Sequence, residues 1–229
     1  MSLVSLRGGV KKYPGFTLGP IDLDLEEGRS YGLLGRNGAG KTTLLNCVSL
    51  QSRLDAGELA LAGKPVRWND RGFKCHTAFA GGAAQFYGEL SINETGRLYS
   101  EIYPNWNWDL WKYYLGASSL DPNKKVSDLS AGMRVKLSLL VAMSRNSSLL
   151  LLDEPTSGLD PESRDELCQI LKRWQKERGF ALVVSSHLFE DIERVSDTIL
   201  IIRQGKLSLE RGIAASHESV RDLYYAAKD

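Results

Sequence analysis

At 229 residues the chain has the length of one domain, or of one domain with a small insert. Its 42% hydrophobic and 25% charged residues exclude a disordered or collagen-like chain. With 29 basic against 28 acidic residues the net charge is +1, so bulk charge gives no case for nucleic acid, and none is expected as a partner.

In chain order, "VSLR" (4–7) and "IDLDL" (21–25) alternate apolar and polar residues, predicting half-buried antiparallel strands. "SYGLL" (30–34) is a more continuously apolar strand that runs into "GRNGAGKTT" (35–43), with a helix following through "TTLLNCVSL". "GELALAGKPV" (57–66) predicts a hairpin turning near Gly63. From about 88 to 146 the chain turns helical and aromatic, which predicts an inserted helical subdomain. "LLLLD" (149–153) has the look of a buried parallel strand. Asp160-Pro161 opens a helix whose apolar side carries Leu167, Ile170, Leu171 and Trp174. "FALVVSS" (180–186) is another buried strand, ending at His187, and "TILIIRQGKLSLE" (198–210) a hairpin turning at Gly205. Strands alternating with helices predict an α/β fold with a mostly parallel sheet.

No apolar run approaches the ~20 residues that span a bilayer, and no signal peptide is visible, so a soluble chain is expected. Cys47, Cys75 and Cys168 lie far apart, form no metal-type pair, and fit a reduced cytosolic setting as inert packing residues.

Gly35 to Thr42 match G-x-x-x-x-G-K-[ST] between a strand and a helix. Glycines let the backbone wrap the β- and γ-phosphates of a nucleotide, Lys41 reaches their oxygens, and the Thr42 hydroxyl suits Mg²⁺. The strand "LLLLDEP" delivers Asp153 to its C-terminal end, where a carboxylate can hold Mg²⁺ through water. Glu154 follows, able to accept a proton from attacking water. A second anion cradle starts at "LSAGM" (129–133): Ser130 is a good N-cap, Gly132 leaves room for a ligand, and Met133, Leu137, Leu140 and Val141 form an apolar stripe behind them.

Taken in order, "GRNGAGKTT", "LSAGM", "LLLLDEP", "SGLD" and "SSH" resemble the Walker A, signature, Walker B, D-loop and H-loop of the ATP-binding subunits of ABC transporters. The resemblance covers almost the whole chain. It implies a single P-loop NTPase domain of ABC type, with an N-terminal antiparallel β subdomain, an ATP-binding core at about 1–87 and 147–229, and a helical subdomain at about 88–146. It implies ATP and Mg²⁺ as ligands, the ATP held by Gly35, Arg36, Asn37, Gly38, Ala39, Gly40, Lys41, Thr42 and Thr43, and the metal by Thr42 and Asp153. Catalysis would fall to Glu154, Lys41 and His187, with His187 contacting the γ-phosphate. Two copies would face each other head to tail, so that Ser130 and Gly132 reach the ATP of the neighbour and Ser157 to Asp160 lie at the contact. That arrangement explains two cradles in one chain. The pair would be a homodimer, or a heterodimer with a second ATP-binding subunit, working beneath an integral membrane transporter subunit at the inner face of the cell membrane.

Three features are less regular. Tyr13 in "VKKYPGF" stands where the family stacks an aromatic on adenine; the other reading is packing. Ala131 and Met133 depart from the family's Leu-Ser-Gly-Gly-Gln, while Ser130 and Gly132 remain. The family's coupling glutamine should fall near Gly82, whereas the glutamine present is Gln85, so either Gln85 serves or that contact is missing. "YPNWNWDLWKYY" (103–114) reads as aromatics packing the helical subdomain, the alternative being a patch that docks a membrane subunit. With "LSAGM" and "KLSLL" it is similar to bacterial ATP-binding subunits encoded beside GntR-type regulators, which implies an exporter-like or peptide-antibiotic-related system. A soluble ABC-type ATPase acting on nucleic acid or ribosomes is the alternative function; it would carry a long coiled-coil insert or two ATPase halves, and neither is present. Asp153, Glu154 and His187 argue against a non-catalytic ATP switch.

Overall fold

The computed structural model describes residues 2–81, 86–213 and 219–227. Two sheets form its frame. The N-terminal strands β1 (Ser2–Tyr13) and β2 (Phe16–Glu26) pair antiparallel, and β4 (Ala56–Leu61) and β5 (Lys64–Pro65) extend them in the order β2-β1-β4-β5. The alternation predicted for this region is present: Val4, Leu6, Ile21, Leu23 and Leu25 are buried while Arg7 and Asp22 face solvent.

The second sheet has the order β10-β9-β3-β8-β7-β6. Strands β9 (Thr198–Arg203), β3 (Ser30–Leu34), β8 (Ala181–Ser186), β7 (Leu149–Asp153) and β6 (Thr77–Gly81) run parallel, and only β10 (Lys206–Gly212) is antiparallel. β3, β7 and β8 are buried at every residue, as continuous apolar runs covered on both faces should be.

Helix α1 (Lys41–Val48) lies in the apolar layer between the two sheets, where Leu44, Leu45 and Val48 join Leu6, Leu33 and Leu151. The opposite face of the parallel sheet is covered by α4 (Trp108–Ala117), α5 (Ala131–Met143) and α6 (Pro161–Arg178). Asp160 caps α6 by accepting from the Ser163 N–H at 2.9 Å, Pro161 takes its first turn, and Gly179 ends it in the left-handed region. All four residues assigned to its apolar side are buried. Before these helices α3 (Ile92–Ile102) opens with a reciprocal cap between Ser91 and Glu94.

The aromatic run behaves as packing. Trp111 and Tyr114 are fully buried, Trp106 lies 5.3 Å from Trp111 by ring centroid, and Tyr114 lies 4.3 Å from Trp174 of α6. A Cβ on Gly96 of α3 would come within 2.6 Å of Trp111, so the absence of a side chain there is what lets α3 approach α4. Two aromatics of this group, Trp108 at its edge and Tyr113 on the outer side of α4, are exposed.

Four elements had no counterpart in the sequence reading: β6, the six-residue α2 (Arg71–His76), α7 (Phe189–Val195) and α8 (Val220–Ala226). β6 completes the parallel sheet beside β7, while α7 and α8 pack on Leu34, Ile199 and Ile201. No helix among the described residues is long and apolar enough to cross a membrane. Burial pushes the Cys47 thiol up to about 11 and the Cys168 thiol up to about 12, consistent with inert packing residues.

Candidate functional site

The site lies at the C-terminal ends of the central parallel strands, where open α/β sheets place their ligands. Register decides what meets there. Leu34 of β3 pairs with Ser186 of β8, and Asp153 of β7 pairs with Ser185. The glycine-rich loop leaving β3, the Asp153-Glu154 pair ending β7 and His187 following β8 are therefore brought to one level.

In the loop, Gly38 (φ 79) and Gly40 (φ 109) adopt the left-handed conformation that L side chains avoid. A Cβ on Gly38 would meet nothing within 4 Å, so its backbone is open to close approach by a ligand, while one on Gly40 would come 2.9 Å from Phe16. Lys41, almost wholly buried, donates to the Gly35 carbonyl at 2.8 Å and pairs with Glu154 Oε1 at 3.2 Å. The other carboxylate oxygen of Glu154 lies 2.8 Å from His187 Nδ1. Glu154 is thus held between an ammonium and an imidazole, on a backbone with φ 49 that is unusual for a glutamate. A carboxylate so held can accept a proton once its cationic neighbour is drawn elsewhere.

Beside it, the Thr42 hydroxyl donates to Asp153 Oδ2 at 2.7 Å. Hydroxyl and carboxylate oxygens are the hard donors Mg²⁺ prefers, and no cluster of three or more metal-ligating side chains occurs among the described residues. The Thr42 hydroxyl beside the Asp153 carboxylate fits Mg²⁺, which takes one or two protein oxygens and completes its shell with water and phosphate.

The cleft over these groups has a volume of about 830 Å³, within the size range of nucleotide-sized ligands. Arg36, Asn37, Gly38, Gly40, Lys41, Thr42, Thr43, Glu154 and His187 line it, and Ser157 reaches its edge. Tyr13 and Phe16, cross-strand partners in β1 and β2, form its aromatic wall. Tyr13 is 43% exposed, with Lys11 Nζ 5.5 Å from its ring centroid, so its ring is not used up in packing. Gly35 and Ala39 support the loop from beneath: a Cβ on Gly35 would meet the Ile202 carbonyl at 2.6 Å, and the Ala39 carbonyl accepts from Gly205 N–H at 2.9 Å.

Ser130 and Gly132 are not part of this cleft. Ser130 caps α5, accepting from the Met133 N–H at 3.2 Å, and is exposed. Gly82 and Gln85 lie outside the described residues.

Two hydroxyl residues, Ser185 and Thr156, escaped the sequence reading. Ser185 Oγ donates to Asp153 Oδ1 at 2.6 Å and accepts from the Glu154 N–H at 2.9 Å. Thr156 Oγ1 donates to the buried Asp191 at 2.7 Å, tying the segment after Glu154 to the helix after His187. The local signal for Ser185 is the pair of hydroxyls, Ser185 and Ser186, that ends the otherwise apolar β8.

The family described as ABC transporter matches residues 18–157. The chain is 29% identical over 188 residues to the ABC transporter ATP-binding protein YtrB of Bacillus subtilis (strain 168), covering 82% of this chain and 64% of that protein. It is 30% identical over 224 residues to the fructose import ATP-binding protein FruK of Bifidobacterium longum (strain NCC 2705), covering 91% of this chain and 43% of that one. It therefore spans 43–64% of the length of these two relatives. Among solved structures, the dimeric MJ0796, a bacterial ABC transporter cassette, has the same fold, with a TM-score of 0.81 at 21% identity over 92% of this chain and 98% of that one. A phosphate-type loop, an Asp-Glu pair and a histidine meeting in one cleft of this fold agree with the family match: the chain belongs to the ABC transporter family of ATP-binding proteins.

Proposed function

We propose that the chain binds and hydrolyses ATP to drive an integral membrane transporter subunit, working as one half of a head-to-tail pair at the inner face of the membrane. The observation that carries the reading is Glu154, held between Lys41 and His187 at the mouth of the phosphate loop. Phosphate oxygens compete with Glu154 for the Lys41 ammonium. As they draw it away, the carboxylate is left to take a proton from water, with His187 still fixing its orientation. Thr42 and Asp153 would hold Mg²⁺, which when bound would neutralise charge on the phosphates. Tyr13 offers its ring to adenine. Ser130 and the N–H groups near Gly132, outside the chain's own cleft, serve the γ-phosphate of the neighbour's ATP; this is the support for a pair rather than a single working chain.

Identity carries no direction of transport, since a fructose import protein is as similar as YtrB. The exporter-like reading rests on the likeness of the stretch at 103–114, "LSAGM" and "KLSLL" to subunits encoded beside GntR-type regulators. For the membrane partner, the broad groove of about 790 Å³ between α1, α2, β6 and the end of α3 offers exposed Trp68 and Ile102 beside Arg71 and Lys74. It suits an amphipathic segment with acidic groups.

The test is to tag the chain in its native host, solubilise membranes gently and identify what is retained. An integral membrane protein in stoichiometric amount is expected, and Ile102→Glu is expected to release it while nucleotide binding is kept. Recovery only with ribosomes, with DNA or in the soluble fraction would remove transport from the reading and leave the ATPase chemistry standing.

A further inference from the structure

Strand β8 is apolar through Ala181, Leu182, Val183 and Val184, then ends in Ser185 and Ser186, each fully buried. A buried hydroxyl needs partners. Ser186 finds one locally, accepting from the Leu188 N–H at 3.0 Å. Ser185 finds its partners at the end of the neighbouring strand β7 and at the residue that follows it. Its O–H donates to Asp153 Oδ1 at 2.6 Å, and its oxygen accepts from the Glu154 N–H at 2.9 Å.

These two bonds divide the labour of the site. With Oδ1 of Asp153 committed to Ser185, only Oδ2 faces Thr42, which fixes the rotation of the carboxylate. The second bond pins the peptide of Glu154 where its backbone is in the left-handed region. One hydroxyl therefore sets both the metal-facing oxygen and the base of the proton acceptor.

We propose that Ser185 is a positioning residue for this reaction, orienting Asp153 toward Mg²⁺ and Glu154 toward the attacking water. The proposal rests on the ATPase reading above. Ser185→Ala leaves Asp153 Oδ1 and the Glu154 N–H without their shared partner. Ser185→Thr keeps the hydroxyl.

The experiment compares wild type, Ser185→Ala, Ser185→Thr and the remote control Ser144→Ala, whose equally buried hydroxyl only donates to the Leu140 carbonyl. Two readouts are taken below the melting transition: titration with a fluorescent ATP analogue in EDTA and in Mg²⁺, and the kcat and KM of phosphate release. For Ser185→Ala the expected results are EDTA-state affinity within about twofold of wild type, a loss of about fivefold or more in the Mg²⁺-dependent gain in affinity, and kcat reduced about tenfold or more with KM for nucleotide moving less. Ser185→Thr should recover most of both losses, and Ser144→Ala should show neither.

A Ser185→Ala protein that is less stable but keeps wild-type kcat and Mg²⁺ dependence would overturn the proposal and leave the ATPase reading intact. A wild-type protein with no Mg²⁺ dependence and no phosphate release would overturn both.

Discussion

Glu154→Gln is expected to keep ATP binding while slowing hydrolysis about 10²–10⁴-fold, the range typical of losing a positioned general base. The amide has the size of the carboxylate and can still meet His187, so the cleft keeps its shape. What it loses is the capacity to take a proton from water. It also loses the negative charge that competes with phosphate for Lys41 at 3.2 Å, so nucleotide affinity should hold or rise. Rapid-quench measurement of a single turnover, with nucleotide titration on the same preparation, separates the two effects. Near wild-type turnover in this variant would remove Glu154 from the chemistry.

Lys41→Ala is the second large effect, and it falls on binding. The ammonium is buried and already desolvated, so its attraction for phosphate is not screened as a surface charge would be. Truncating one partner of such a charged contact costs about 2–5 kcal/mol, or about thirtyfold or more in affinity. The variant also leaves the Gly35 carbonyl and Glu154 without their cation. A circular-dichroism melt therefore belongs beside the titration, to show that lost binding is not lost folding. Unchanged affinity in a folded Lys41→Ala protein would refute the phosphate-cradle assignment.

Both residues were legible in the sequence because each chemical group sits in a contiguous run with its own structural context. A glycine-rich loop between an apolar strand and a helix, and a carboxylate pair at the end of another apolar strand, announce themselves locally. The N-terminal hairpin was legible for the same reason, through strict alternation. β6 was not: Thr77–Gly81 is five residues of mostly small side chains after a six-residue helix, too short for either period to register. Strand order has no local code, and it is the order that makes Ser185 a partner of Asp153 across 32 positions. Gly96 is similar, since its reason is a tryptophan on the next helix. Contacts created by register and packing become visible only when the chain is folded.

In the proposed function a second ATP-binding chain, in the homodimer case a second copy, completes the ATP site, because Ser130 and Gly132 stand outside the cleft of their own chain. The direct measurement is light scattering on the Glu154→Gln protein with and without Mg²⁺ and ATP, alongside the same protein carrying Gly132→Asp. A Cβ at position 132 would meet nothing closer than Ser163 Oγ at 3.6 Å, so the backbone there has room for the first atom of a side chain that places an acid at the cradle, and a melt checks that the variant folds. The expected result is that ATP converts the parent from the 25.4 kDa of one chain to twice that mass. Gly132→Asp should block the conversion without weakening ATP binding to the single chain. A parent that stays single with ATP bound, or a Gly132→Asp protein that loses ATP as a single chain, would contradict the shared site.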